Sequence, residues 1–302
     1  MPIDFTNCET RNKVYNGASG GKRAILYNNE LYMLKFPPLA KKNKEMSYSN
    51  GCISEYLGSH IFSMLGFEAQ ETILGTFIVN GKEKIVVACK DFVEPGWELV
   101  DFAGMQNYVA TTDDSIKGNN VELKDILYTI RNQEQFNPKD LEEFFWDMFI
   151  VDAFIGNWDR HCGNWGFLYN QNTDDIQVAP IYDCGSSLFP QADEKIMEKT
   201  LESDEELKLR VYTMPWCAFR KEGRKISYYD YISSLEDSNC NQALKRVVPQ
   251  INLGRIYNLI DNIEYLSKLQ KEFYKTILTA RKEVILDKSL EKLLHREREY
   301  ER

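Results

Sequence analysis

Histidine is scarce: the chain of 302 residues has three, His60, His161 and His295. No two of them share the spacing of helical metal ligands, which excludes a histidine-rich metal centre and leaves oxygen donors for any metal. Cysteine is present but unorganised. Cys8, Cys52, Cys89, Cys162, Cys184, Cys217 and Cys240 are odd in number and form no Cys-x-x-Cys pair. Neither a disulfide framework nor a zinc knuckle is expected, and a reducing compartment is. Positive charge is in deficit, with 37 Lys and Arg against 46 Asp and Glu and a net charge of −9. Bulk attraction to a phosphate backbone is therefore not expected, nor is nucleic acid as a partner. Long apolar runs are missing as well. The most apolar, Phe144 to Ile155, is broken by Asp147 and Asp152 and falls short of the ~20 residues a bilayer needs, so no membrane span is expected. The N-terminus, Met1-Pro2-Ile3-Asp4-Phe5, has neither a basic n-region nor an apolar h-region, and no secretory signal is expected.

What is there suffices for real cores. The chain is 43% hydrophobic and 13% aromatic, and it is longer than the ~150 residues of a typical domain, so one large or two medium lobes are expected. Strand-like runs at Arg23 to Asn28 and Leu31 to Phe36 flank Asn28-Asn29, and runs at Thr72 to Val79 and Lys84 to Phe92 flank Asn80-Gly81. Both read as hairpins, the second more strongly, because Asn-Gly tolerates the positive φ of a tight turn. Between them, Glu45 to Leu65 places Ile53, Leu57, Ile61 and Met64 at helical spacing, closed by Gly66. Glu94-Pro95-Gly96 then marks a break between lobes. Beyond it, Leu141 to Ile155 reads as a buried helix stopped by Gly156, followed by strand-like runs at Trp165 to Tyr169 and Ile176 to Tyr182. A long helical pattern runs from Ile256 to Phe273, and the charged residues from His295 to Arg302 read as a frayed or solvated tail. Gln106 to Asn137 is too mixed to assign.

Four features carry the chemistry. Tyr15-Asn16-Gly17-Ala18-Ser19-Gly20-Gly21-Lys22 offers glycines whose backbone N–H groups can approach phosphate, though glycines also gather in plain turns. Lys35 lies on the strand face of Leu31 and Met33, opposite Tyr32, Leu34 and Phe36. It either snorkels to the sheet edge or meets an anion. Glu55 is about 200° around the helix from Ile53, beside Cys52, Ser59 and Phe62, so it is either solvated or turned into a cleft toward Lys35. Asp159 and Asn164 stand five apart in the polar loop Asn157-Trp158-Asp159-Arg160-His161-Cys162-Gly163-Asn164. One oxygen can serve a nucleophilic hydroxyl and another a metal. His161, grouped with Asp159 at the catalytic position, is read as bracing that loop. Asp183, at the end of Pro180-Ile181-Tyr182 and followed by Cys184-Gly185, can hold Mg²⁺ with Asn164, or can form an Asx turn. A glycine loop, a strand lysine, a helix glutamate, a hinge, Asp-x-x-x-x-Asn and Asp-x-Gly occur in the order used for phosphoryl transfer by protein kinases. Asp159-Arg160-His161 reverses the usual His-Arg-Asp.

The sequence resembles the HipA-like serine/threonine kinases. The likeness is carried by Tyr27-Asn28-Asn29-Glu30-Leu31-Tyr32-Met33-Leu34-Lys35-Phe36-Pro37-Pro38, by Phe145-Trp146-Asp147-Met148-Phe149, and by Asp159-Arg160-His161 through Gly163-Asn164-Trp165-Gly166-Phe167. It spans roughly Asp4 to Lys282. The resemblance implies an α+β, two-lobed protein-kinase-like fold. Residues 1–93 would form a small β-rich lobe with one helix, and residues 94–302 a larger, mainly helical lobe. It also implies an ATP- and Mg²⁺-dependent transfer to serine or threonine of a protein substrate, including self-phosphorylation. Gly17, Ser19, Gly20, Gly21, Lys22, Lys35 and Glu55 would serve the nucleotide, with backbone groups of Lys90 and Phe92 at adenine. Asp159 would be the base, and Asn164 and Asp183 the Mg²⁺ ligands. Two positions depart from the family pattern. Gly163 stands where toxin members often carry lysine, so charge would come from Arg160 or elsewhere. The regulatory serine of their glycine loop falls on Val14, with Ser19 displaced. The scattered cysteines point to the cytoplasm, and the resemblance raises export without a signal peptide. A lipid or small-molecule kinase of the phosphatidylinositol-kinase type is the alternative enzyme, and a pseudokinase binding scaffold the alternative from another class.

Overall fold

The computed structural model describes residues 3–15, 21–37, 50–112 and 121–300. Two tight turns organise its N-terminal region. Strands β1 (Glu9–Arg11), β2 (Lys22–Tyr27), β3 (Glu30–Lys35), β4 (Thr72–Val79) and β5 (Lys82–Lys90) form an antiparallel sheet in the order β1-β2-β3-β5-β4. Asn28 and Asn29 turn β2 into β3 at φ 49° and 63°, and Asn80 and Gly81 turn β4 into β5 at 51° and 72°. Positive φ at both central residues matches the right-handed twist of the flanking strands, which fixes the register. Helix α1 (Gly51–Met64) connects the hairpins.

Alternation then sorts the side chains into two cores. Ile25, Tyr32, Leu34, Phe77, Val86 and Ala88 pack with Phe5 on one face of the sheet. Val87, Cys89 and Leu74 face the other way and meet Ile53, Leu57 and Ile61 of α1. This second core continues into the rest of the molecule and includes Phe145, Phe149, Trp165 and Phe189. The expected lobe boundary at residues 93 and 94 falls between β5 and β6 (Trp97–Asp101).

Beyond β6 come α2 (Phe102–Thr112), α3 (Leu123–Asn132) and the central α4 (Pro138–Ile155); α3 and the latter part of α2 fall in the stretch from Gln106 to Asn137, whose sequence is too mixed to assign. Asn137 caps α4 by accepting from the Lys139 amide, Pro138 opens its first turn, and Gly156 closes it at φ 64°. Strand β7 (Gly166–Asn170) lies between β6 and β8 (Asp175–Val178) and pairs antiparallel with both, and the partnership of β6 with β7 has no sequence signal strong enough to read. Next are α5 (Glu194–Glu202) and α6 (Asp204–Lys208), then the ribbon β9 (Trp216–Lys221) and β10 (Arg224–Ser227). The chain ends with α7 (Tyr228–Ser234), α8 (Ser238–Val247), α9 (Leu253–Asp261), α10 (Lys268–Arg281) and α11 (Lys288–Tyr300).

Three expected elements differ. The apolar series from Ile256 to Phe273 is two helices, because Ser267 and Gln270 form a capping box that starts α10 afresh. Ile263 and Leu266 keep the apolar period because the intervening loop sinks those two side chains while Asn262, Glu264 and Ser267 stay exposed. The charged tail is helical to Tyr300, held by Leu293 in the core and by a Lys245–Glu297 ion pair at 2.8 Å. The second strand run stops at Val178. Beyond Pro180, Ile181 leaves the sheet and exchanges hydrogen bonds with Glu68 and Gln70 just ahead of β4, at 2.8 Å each. That crossing brings Asp183 back to the N-terminal region.

Candidate active site

Lys35 ends β3 on the sheet face that looks toward α1. Its ammonium lies 3.1 Å from Glu55 Oε2 and 3.1 Å from Asp183 Oδ1. Glu55 is 2% exposed, so its place on α1 is the cleft side and not the solvated one. Burial works against the Lys35 charge, but the carboxylates of Asp183 and Glu55 outweigh it and hold the ammonium well above the ordinary lysine value. The same Lys35 charge holds Asp183 below the usual carboxylate range. Asp183 reaches this position from a backbone at φ 56°. Its neighbour Cys184 donates its amide to Glu55 Oε1 at 3.2 Å. Three side chains from β3, α1 and the segment after β8 thus meet at one point.

Helix α1 is seated by a close approach. A Cβ on Gly58 would lie 2.5 Å from Cys184 Cβ. Gly58→Ala is expected to cost about 1–3 kcal/mol by overpacking, despite alanine's better helix propensity of up to ~1 kcal/mol. Denaturant unfolding of the variant beside the parent checks this.

The polar loop after α4 is built on a buried ion pair. Arg160 is fully buried and binds Asp152 through Nε at 3.0 Å and Nη2 at 3.3 Å. Its Nη1 donates to the carbonyls of Asn164, at 2.7 Å, and Tyr182. Asp152 also accepts from Asn157 Nδ2 at 3.0 Å, and Asn157 Oδ1 accepts the Asp159 amide at 3.1 Å. Arg160 therefore cannot supply charge to a substrate or phosphate, contrary to the expectation from sequence. It is the framework of the loop.

On that framework Asp159 is partly exposed. Burial raises its carboxyl above the usual aspartate value, with Asp183 adding to the rise, while His161, Arg160 and Lys225 oppose it. A carboxylate moved in this direction is better suited to accept a proton. His161 takes the bracing role: its Nδ1 accepts the Gly163 amide at 3.0 Å and its carbonyl accepts the Asn164 amide at 2.9 Å. Asn164 donates Nδ2 to the Asp159 carbonyl at 2.7 Å, which fixes the carboxamide and leaves its oxygen for another partner.

Asn164 and Asp183 fit a Mg²⁺ site by donor chemistry. Both offer oxygen, and one Asp183 oxygen is not the one bound to Lys35. Among the described residues, no group of three or more His, Cys, Asp and Glu is placed to hold a metal by itself. That suits Mg²⁺, which usually keeps waters and substrate phosphates as ligands.

The nucleotide-side candidates divide. Lys22, at the start of β2, feels the charges of Lys35, Asp183 and Glu55; burial first, then Lys35, lowers its ammonium below the lysine value. Gly21 accepts the Phe36 amide at 3.3 Å. Gly17, Ser19 and Gly20 lie outside the described residues, and Val14 is 89% exposed. At the expected hinge, the Lys90 amide donates to Glu71 and its carbonyl accepts from Gln70 Nε2, at 2.8 and 2.9 Å. Its ammonium pairs with Glu30 and Glu71. The Lys90 amide and carbonyl thus each have a partner within the protein, and the Phe92 ring lies 5.9 Å from that of Tyr182.

Sequence reasoning missed Asp152 and Lys225. Asp152 has a signal in retrospect, a carboxylate interrupting the most apolar run of the chain. Lys225 has none, because only the folding back of β9 and β10 brings it near Asp159.

The HipA-like C-terminal domain family matches residues 16–252. A serine/threonine-protein kinase, CtkA, from Helicobacter pylori is 47% identical over 290 residues, covering 95% of this chain and 87% of that protein. The crystal structure of the H. pylori proinflammatory kinase CtkA superposes with a TM-score of 0.90 at 45% identity, over 98% of both chains. The HipA–HipB–operator DNA complex of Shewanella oneidensis contains a chain matched at TM-score 0.52 and 15% identity, over 93% of this chain and 69% of that one, a likeness of fold.

Proposed function

The chain belongs to the HipA-like family and is a serine/threonine protein kinase of that family, and from that premise we propose that it transfers the γ-phosphoryl group of ATP, with Mg²⁺, to a hydroxyl of a protein substrate, its own chain included. The observation that supports this best is the Lys35 ammonium held between Glu55 and Asp183 at 3.1 Å from each. An isolated buried ammonium is costly, and two carboxylates from distant elements turn it into a fixed cation facing the cleft.

Each side chain then has a task. Lys35, steadied by Glu55, orients the triphosphate, and Lys22 adds charge on the same side. Asn164 and Asp183 would hold Mg²⁺, which when bound offsets charge on the β- and γ-phosphates. Asp159 accepts the proton of the attacking hydroxyl. The hydroxyl oxygen bonds to the γ-phosphorus, the bond from that phosphorus to the bridging oxygen breaks, and ADP leaves with the electron pair. Positioning and electrostatics supply most of the acceleration.

Incubation with labelled ATP and Mg²⁺, followed by phosphosite mapping of the chain and of added protein, tests the proposal. Label on serine or threonine supports it. A folded chain that neither labels itself nor any added protein overturns it. Lys35→Met is expected to lower kcat/KM for ATP by on the order of 10²-fold. It should also lower Tm, because Glu55 and Asp183 lose their shared counter-charge; ATP titration and a melting curve measure the two effects.

A further inference from the structure

Phosphoryl transfer onto a hydroxyl held by Asp159 brings negative oxygens toward a carboxylate. Unless a cation stands on the acceptor side, the two repel as the phosphoryl group moves across. Among the described residues, the cationic groups whose charge reaches Asp159 are His161, when protonated, Arg160 and Lys225. Arg160 is spent on Asp152 and two carbonyls and is fully buried. The Nδ1 atom of His161 accepts the Gly163 amide and is committed to the loop. Lys35 and Lys22 sit with Glu55 and Asp183, on the nucleotide side. Lys225 remains.

Its position is fixed by the ribbon and not by chance contact. Lys225 is exposed on β10 beside buried Ile226, where the ribbon's register shifts between Lys225 and Ser227. Three residues on, Tyr228, 1% exposed, donates its hydroxyl to the Asn157 carbonyl at 2.6 Å. Asn157 in turn receives the Asp159 amide. Ribbon and catalytic loop are thereby joined through one residue. Lys225 also stands directly opposite Arg220 across the ribbon, an unfavourable pairing of like charges, and no ion pair offsets it among the described residues. A cation kept exposed and without an ion pair among the described residues, within electrostatic reach of the reacting carboxylate, suits an anion that arrives only during the reaction.

We propose that Lys225 is a further catalytic residue, whose ammonium hydrogen-bonds the non-bridging oxygens of the phosphoryl group as it passes from ADP to the acceptor hydroxyl. Lys225 moves no proton; the hydroxyl proton goes to Asp159. This assignment rests on the kinase reading given above.

The test compares Lys225→Met, Lys225→Arg and, as a control one residue away, Arg224→Met. Lys225→Met is expected to lower kcat by ~10²-fold with KM for ATP within about twofold, as for a lost transition-state donor. Lys225→Arg should recover most of the loss, and Arg224→Met should match the parent. Calorimetry supplies a readout apart from turnover: ADP affinity should be unchanged in Lys225→Met, while affinity for ADP with aluminium fluoride falls in parallel with kcat. A parent chain that transfers phosphate and a Lys225→Met variant that does so equally well overturn the assignment. So does a loss that appears equally in ADP binding. A folded parent that transfers no phosphate overturns the kinase reading, and the assignment with it.

Discussion

Asp159→Asn lowers phosphate transfer by ~10²-fold or more, the usual scale for a lost general base, and leaves the melting temperature within about a degree of the parent. The second half of this expectation comes from the loop. What holds it is Arg160, Asp152 and Asn157, and the contacts Asp159 makes within it are through its backbone amide and carbonyl. Asparagine keeps both backbone groups and the size of the side chain, and removes only the capacity to accept a proton as a carboxylate. Initial-rate labelling from ATP together with calorimetric melting checks both parts. Undiminished labelling would remove Asp159 from the role of base.

Arg160→Met, one residue along, has the converse signature. It strips the counter-charge from Asp152, which is 1% exposed, and leaves the carbonyls of Asn164 and Tyr182 without their donor. Breaking a buried pair in this way costs about 3–5 kcal/mol, so Tm should fall by on the order of 10 °C. Its pH dependence has a definite sign. Burial already raises the Asp152 carboxyl above the usual aspartate value while Arg160 opposes the rise. Removing Arg160 raises it further. An acid whose folded pKa lies above its unfolded one favours the fold below the unfolded value and loses that contribution as pH climbs. The gap between variant and parent should therefore narrow at lower pH. Melting curves from pH 5 to pH 8 measure it, and a gap that widens on acidification would mean that Asp152 is not the group left unpaired.

These adjacent residues also show how far the sequence could be read. Asn28-Asn29, Asn80-Gly81 and the stripe Ile53, Leu57, Ile61 lie within one turn or one helix, and local sterics alone decide them. The strand face of Lys35 and the angular position of Glu55 on its helix follow from period alone, although only the folded chain chooses between solvent and cleft for the glutamate. Arg160 reads as available charge in sequence and proves to be framework, because its partner Asp152 lies a full helix end away and the pairing depends on where Gly156 turns the chain. The split of α9 from α10 escapes a periodicity argument for a related reason. Burial of Ile263 and Leu266 within an otherwise largely exposed loop preserves the apolar rhythm across a break in the hydrogen-bond ladder, and the capping pair Ser267 and Gln270 is the feature that marks it. Lys225 is invisible at any local level, since its neighbour in space is 66 positions distant in a loop joined to the ribbon through Tyr228.

The seating of α1 has one more consequence. The helix shares its apolar side with the core that runs into α4, Gly58 touches Cys184, and Asn50 at its N-terminal end binds the backbone of Pro190 and Ala192 and the side chain of Gln270. Swinging α1 outward to pull Glu55 off Lys35 would tear open that core and strip those anchors together. Displacement of α1 therefore carries the cost of that core and of those anchors together, and the Lys35–Glu55 contact inherits the rigidity of the helix seat.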